Sequence, residues 1–145
     1  MSNDMSKANE QFIRDFMGSI SAQGFRAATK KFVSPNVVWW VTGAGEIQDK
    51  LDAIAEMFER TLENGLGFKM TILDMISQDD KVAAEVQGYG KLIDGAIYNN
   101  FYHFLFEIRD DKIVRVREYM DTKHVDEVYG SHAAQFLRGL RVQSH

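Results

Sequence analysis

The run Lys112-Ile113-Val114-Arg115-Val116-Arg117-Glu118-Tyr119-Met120-Asp121 constrains this chain more than any other stretch. Side chains on a strand alternate between two faces. One face reads Val114, Val116, Glu118, Met120, and the other Ile113, Arg115, Arg117, Tyr119, Asp121. The first set is apolar apart from one carboxylate. A carboxylate among core residues is costly unless paired, hydrogen-bonded or protonated. Glu118 is therefore either a satisfied structural acid, with Tyr102, Asn100 or Trp39 as its partner, or the working group of a pocket.

Composition removes several function classes. The chain has 145 residues, no Cys, and a net charge of -4. Disulfides, thiol catalysis and cysteine metal sites are excluded. The acidic balance and the lack of a basic run argue against a nucleic-acid or anionic-membrane partner. No apolar run is long enough to span a bilayer. The polar start, Met1-Ser2-Asn3-Asp4-Met5, does not resemble a signal peptide, so a cytoplasmic location is expected. His103, His124, His132 and His145 share no close ligand spacing, and no metal is expected. Gly43-Ala44-Gly45 lacks the rest of a dinucleotide fingerprint, and no cofactor is implied.

The pattern predicts one domain over 1–145, with a core of about 8–128 and a tail of 129–145. Phe12, Ile13, Phe16, Met17 and Ile20 recur at helical spacing between Ala8 and Ile20, and Gly18-Ser19 weakens the helix end. Gly24 opens a second helix with Phe25, Ala28 and Phe32 on one face, ended by Ser34-Pro35-Asn36. Val37 to Val41 reads as a strand and Thr42 to Gly45 as a loop. Asp49 is the expected N-cap of a third helix, with Leu51, Ile54, Ala55, Phe58 and Leu62 as its buried stripe. Strands follow at Phe68–Ile76, Val82–Lys91 and Ile97–Arg109, before the run that ends at Asp121. Ala133 to Leu140 suggests a short further helix. Helices first and an antiparallel meander second is an α+β pattern. A curved sheet over a helical layer would leave a cavity at its wide end.

That order, the segment Ser34-Pro35-Asn36-Val37-Val38-Trp39 and the segment Phe106 to Asp121 resemble the nuclear transport factor 2-like superfamily. Within it the chain is most similar to SnoaL-like polyketide cyclases, limonene-epoxide hydrolases and ketosteroid isomerases. The resemblance implies a cone-shaped, mixed but mostly antiparallel sheet over three helices from the N-terminal half, with a central cavity. It also implies dimers through the convex sheet face. The positions that carry a ketosteroid isomerase's base and oxyanion groups fall on Val41, Met17 and Phe104, none of which can do that chemistry. The epoxide hydrolase's groups fall on Glu118, Val86, Gly88, Trp39 and Val41, and only the carboxylate survives in type. A SnoaL-like cyclase asks for less: an apolar chamber and one acid/base carboxylate.

The same register puts Asn100, Tyr102, Phe104, Phe106 and Ile108 on one face of the long strand, and Ala84, Val86, Gly88 and Gly90 on one face of its neighbour. Small residues there are expected to leave space. Trp39, Tyr102, Asn100, Phe104, Val86, Val116, Met120 and Phe58 are the expected ligand-binding residues, with Glu118 as proton donor or acceptor in a cyclase, isomerase, hydratase or dehydratase reaction. The expected ligand is a small, hydrophobic, oxygenated molecule. The alternative is a non-catalytic binding or assembly module. Phe101, His103 and Leu105 lie on the opposite face with Ile113 and Tyr119, and this face is expected to form a homodimer contact.

Overall fold

The computed structural model describes residues 2–130, and the helix expected over Ala133–Leu140 lies outside them. The elements are α1 (Ser2–Gln23), α2 (Phe25–Phe32), β1 (Val33–Val41), β2 (Gly45–Glu46), α3 (Leu51–Thr61), β3 (Lys69–Gln78), β4 (Lys81–Lys91), β5 (Ile97–Arg109), β6 (Lys112–Met120) and α4 (Thr122–Tyr129). The strands form one sheet in the order β2-β1-β6-β5-β4-β3. Only β1 and β6 run parallel; the other pairings are antiparallel. This is the expected α+β cone, an open curved sheet with its helices on the concave side.

The apolar stripe of α1 seats Ile13, Phe16, Met17 and Ile20 in the core. The helix starts at Ser2, well before Ala8, and Ser77 Oγ lies 3.4 Å from the Ser6 carbonyl in its polar early turns. Ser77 Oγ donates to the Glu10 carboxylate, and Asn9 donates to the Asp79 carbonyl at 3.2 Å. Gly18-Ser19 does not end it. The break comes at Gly24, whose φ of +96° and close approach to Leu66 exclude a side chain.

Two local expectations need correction. Asp49 does not cap α3: residues 48–50 form a 3-10 turn that moves the helix start to Leu51, and the Asp49 carboxylate lies 2.8 Å from Lys50 Nζ instead. Ile113 is not on the convex face. The β5–β6 register pairs Glu107 with Arg115 but Ile108 with Ile113, so Val114 is the extra residue of a bulge. The bulge reverses the phase of alternation, and Ile113 is fully buried in the core. A second register shift between Val33 and Val38 accommodates Pro35, which has no N–H for a regular ladder.

Along β5 the alternation is regular. Tyr98, Asn100, Tyr102, Phe104, Phe106 and Ile108 are buried, whereas Phe101, His103 and Leu105 are exposed. The concave face of β5 thus carries Tyr98, Tyr102, Phe104 and Phe106, and it is on this face that the last strand presents its carboxylate.

Candidate functional site

Parallel pairing of β1 with β6 sets Trp39 beside Val116 and Val41 beside Glu118. Trp39 and Glu118 are therefore diagonal neighbours on the concave face. The indole N–H donates to Glu118 Oε1 at 3.0 Å. Of the three partners expected for this acid, Trp39 is the one the fold provides.

Two adjoining cavities of about 100 and 50 Å³ open beside the carboxylate. Both are bounded by Phe25, Trp39, Phe58, Phe68, Tyr102 and Glu118. α3 closes the larger one with Ile54 and Met57, and α4 with Val125 and Tyr129. Two roomier hollows, of about 430 and 470 Å³, lie at the β3–β4 turn and beside α2. Both are more open to the surface and, among the described residues, neither is lined by a buried ionisable group, so the smaller cavities beside Glu118 are the candidate site.

Glu118 is half-buried and lines the cavity. Desolvation raises its pKa to about 7, opposed only in part by the Trp39 hydrogen bond. A carboxyl that gains and loses its proton near neutrality is suited to acid/base work. Trp39→Phe keeps the ring and deletes the donor. The Glu118 titration is expected to rise by about one unit, the worth of a charge-assisted hydrogen bond. Carboxyl carbon NMR measures it directly; an unmoved titration would mean that the indole does not hold the ionised form.

Of the expected ligand-binding residues, Trp39, Tyr102, Phe58 and Met120 line the larger cavity and Phe104 the smaller. Val86 and Val116 are buried in the sheet and line neither. Asn100 is 1% exposed and turned to the backbone: it accepts from Phe101 N–H at 2.8 Å and donates to the Asp121 carbonyl at 3.0 Å, tying β5 to the end of β6. Gly88 and Gly90 do not leave empty space. A Cβ at Gly88 would sit 2.9 Å from the Tyr102 ring, and one at Gly90 would sit 2.8 Å from Phe68. These glycines let the cavity's aromatic rings lie flat on β4.

Sequence reasoning missed Tyr98 and α4. Tyr98 continues the inward series of Asn100 and Tyr102, so extending the alternation two residues would have found it. Its hydroxyl hydrogen-bonds to that of Tyr102 and accepts from Asn100 at 3.0 Å. Burial pushes both phenols up, and they remain protonated at neutral pH. The α4 lid is signalled only by Asp121, which caps it by accepting from Lys123 and His124 N–H at 3.0 and 3.3 Å. His124 Nε2 accepts from Asn99 N–H at 2.9 Å, and Tyr129 meets Thr61 at 3.2 Å, which fastens the lid on both sides. Among the described residues no group of His, Asp and Glu is placed to hold a metal, and no helix is long and apolar enough to cross a membrane.

Residues 13–116 match the family model of the SnoaL-like domain. Solved structures share the fold. A Jannaschia sp. CCS1 protein described as a SnoaL-like polyketide cyclase superposes with a TM-score of 0.70 at 12% identity, over 88% of this chain and 94% of its own. A Bacillus subtilis protein described as an isomerase gives 0.65 at 24% identity, over 83% and 91%. An LEH-like epoxide hydrolase from M. tuberculosis gives 0.68 at 15% identity, over 88% and 96%. No curated protein matches the sequence.

Proposed function

Because the chain belongs to the SnoaL-like domain family, we propose that it binds a small, hydrophobic, oxygenated molecule beneath α3 and α4 and that Glu118 transfers a proton on it. The observation that carries this reading is a carboxyl, poised near pH 7 and without another acid among the described lining residues, on the wall of an apolar cavity. Proton transfer of this kind serves cyclisation, isomerisation, hydration and dehydration without a cofactor. Proteins of this fold are described as a SnoaL-like polyketide cyclase, an isomerase and an LEH-like epoxide hydrolase. At about 100 Å³ the larger cavity falls below the ~300 Å³ at which drug-sized pockets begin, so the ligand is small or α4 moves aside to admit it. A turnover screen of neutral ketones, epoxides and alcohols, repeated with Glu118→Gln, tests the role. Turnover that survives the substitution sinks it.

The convex face is proposed as a homodimer contact. It exposes Phe101, Leu105 and Tyr119 at 54%, 39% and 42%. His103 pairs in register with Tyr119, and Arg117 stacks over Trp40 at 4.4 Å. Cation and rings together form an amphipathic surface suited to meeting a second copy of itself. Phe101→Lys would set two like charges near the contact, and light scattering should then report monomers. An unchanged dimer mass would remove this face from the assembly.

A further inference from the structure

The Asn100 amide has only one orientation that satisfies its neighbours. Its Oδ1 accepts from Phe101 N–H at 2.8 Å and from Asp121 N–H at 3.3 Å. Its Nδ2 donates to the Asp121 carbonyl and to the Tyr98 hydroxyl, both at 3.0 Å. Backbone N–H groups only donate and carbonyls only accept, so a flipped amide would lose the three backbone bonds. The Tyr98 oxygen must therefore accept.

Tyr98 and Tyr102 share one hydrogen bond but carry two hydroxyl protons. Either hydroxyl of the pair can donate to the other; accepting from Asn100 makes Tyr98 the stronger donor, which favours the order Asn100 to Tyr98 to Tyr102. One proton is left over, on Tyr102, and no described residue accepts it. Tyr102 bounds both cavities, as Glu118 does. Phe104 pairs with Glu118 across β5 and β6, which makes Tyr102 the diagonal neighbour of the acid, about 7–8 Å away backbone to backbone.

We propose that Asn100 sets the polarity of the tyrosine pair, so that Tyr102 offers a hydrogen-bond donor to the cavity and the site selects a neutral ligand carrying one acceptor oxygen. The lining supports both terms. Among the described residues no Lys, Arg or His bounds either cavity, so an anion would meet Glu118 with no counter-charge from them. A hydrocarbon would leave the Tyr102 proton unpaired against an apolar ligand, the arrangement that most strongly rejects a ligand lacking the oxygen. The inference rests on the cavity being the ligand site. It does not require Glu118 to transfer a proton.

Cyclohexanone and methylenecyclohexane have nearly the same shape and differ in the acceptor oxygen. Titrated by NMR against the full chain, the ketone is expected to bind about tenfold tighter, one neutral hydrogen bond's worth. Tyr102→Phe should bring that ratio close to one. Equal affinities in the wild type, or an unchanged ratio in Tyr102→Phe, overturn the donor assignment. If Glu118→Gln nonetheless abolishes turnover in the screen, the acid/base reading survives that result. If neither probe binds, the donor and the ligand site fail together. Asn100→Asp supplies an acceptor to Tyr98 and turns the chain around, which makes Tyr102 an acceptor. The ratio of cyclohexanol to cyclohexanone affinity should then rise about tenfold. No rise in a folded Asn100→Asp variant overturns the positioning role. If that variant fails to fold by circular dichroism, the Tyr102→Phe ratio alone decides.

Discussion

Glu118→Gln is expected to stabilise the fold above pH 7 while lowering turnover by about 10²- to 10⁴-fold, the usual contribution of a general acid or base. The stability change follows from linkage. The folded pKa is about 7 against an ordinary 4.5, so between these values the native state holds a proton that the unfolded chain releases. Stability therefore falls as pH rises from about 4.5 to 7, and the loss is complete above 7. Its size is at most about 3 kcal/mol, from the shift at 1.36 kcal/mol per unit. Gln has no charge to desolvate, and its carbonyl can still accept from Trp39. Below pH 4.5 the variant and the wild type should differ little; at pH 8 the variant should have the higher urea midpoint. A wild-type midpoint that is flat between pH 5 and 8 would show that the carboxyl is not desolvated in solution. Activity carries a second sign: a rate rising through pH 7 marks Glu118 as the base, and a falling rate marks it as the acid. Were Glu118 the base, the ionised state its chemistry needs would be the one that weakens the fold, a trade typical of functional sites.

The alternation of the last strand was enough to single out this acid, because period-two patterning follows from backbone geometry wherever a ladder is regular. It failed at Val114, where a bulge turned Ile113 inward. A bulge depends on how two strands meet, and neither strand's own pattern shows it. The helices were legible from their apolar stripes, but the start of α1 was not. Its polar turns are held by Ser77 and Asp79 from β3 and the turn after it, some seventy residues away. The site was half legible for the same reason. Trp39 and Glu118 each stood out locally, and the parallel β1–β6 pairing that joins them could be expected only through the family resemblance. Asn100 reads like a pocket amide until its partners are seen, and the lid comes from a segment whose pattern carried no pocket signal. Gly88 and Gly90 looked like vacancies, yet the rings of Tyr102 and Phe68 rest against them.

Phe106→Ala is expected to lower stability by about 3–5 kcal/mol. Phe106 is 0% exposed; it stacks with Phe104 at 5.1 Å and meets Phe16 of α1 edge-on at 6.1 Å. Truncation removes apolar area and leaves a void that the curved sheet cannot collapse into, because α1 is held at both ends of its stripe. Against a total of about 5–15 kcal/mol for a domain, one such loss leaves little in reserve. Phe101, five residues earlier on the same strand, is 54% exposed. Phe101→Ala, measured at a dilution where any dimer has dissociated, should change stability by no more than about 0.5 kcal/mol. The contrast tests the register of β5 directly, since a one-residue slip would exchange the two faces. Urea midpoints decide it, with the slope unchanged if each variant unfolds in two states. Equal losses at the two positions would refute the register, and the Tyr98-Tyr102-Glu118 wall of the cavity would fall with it.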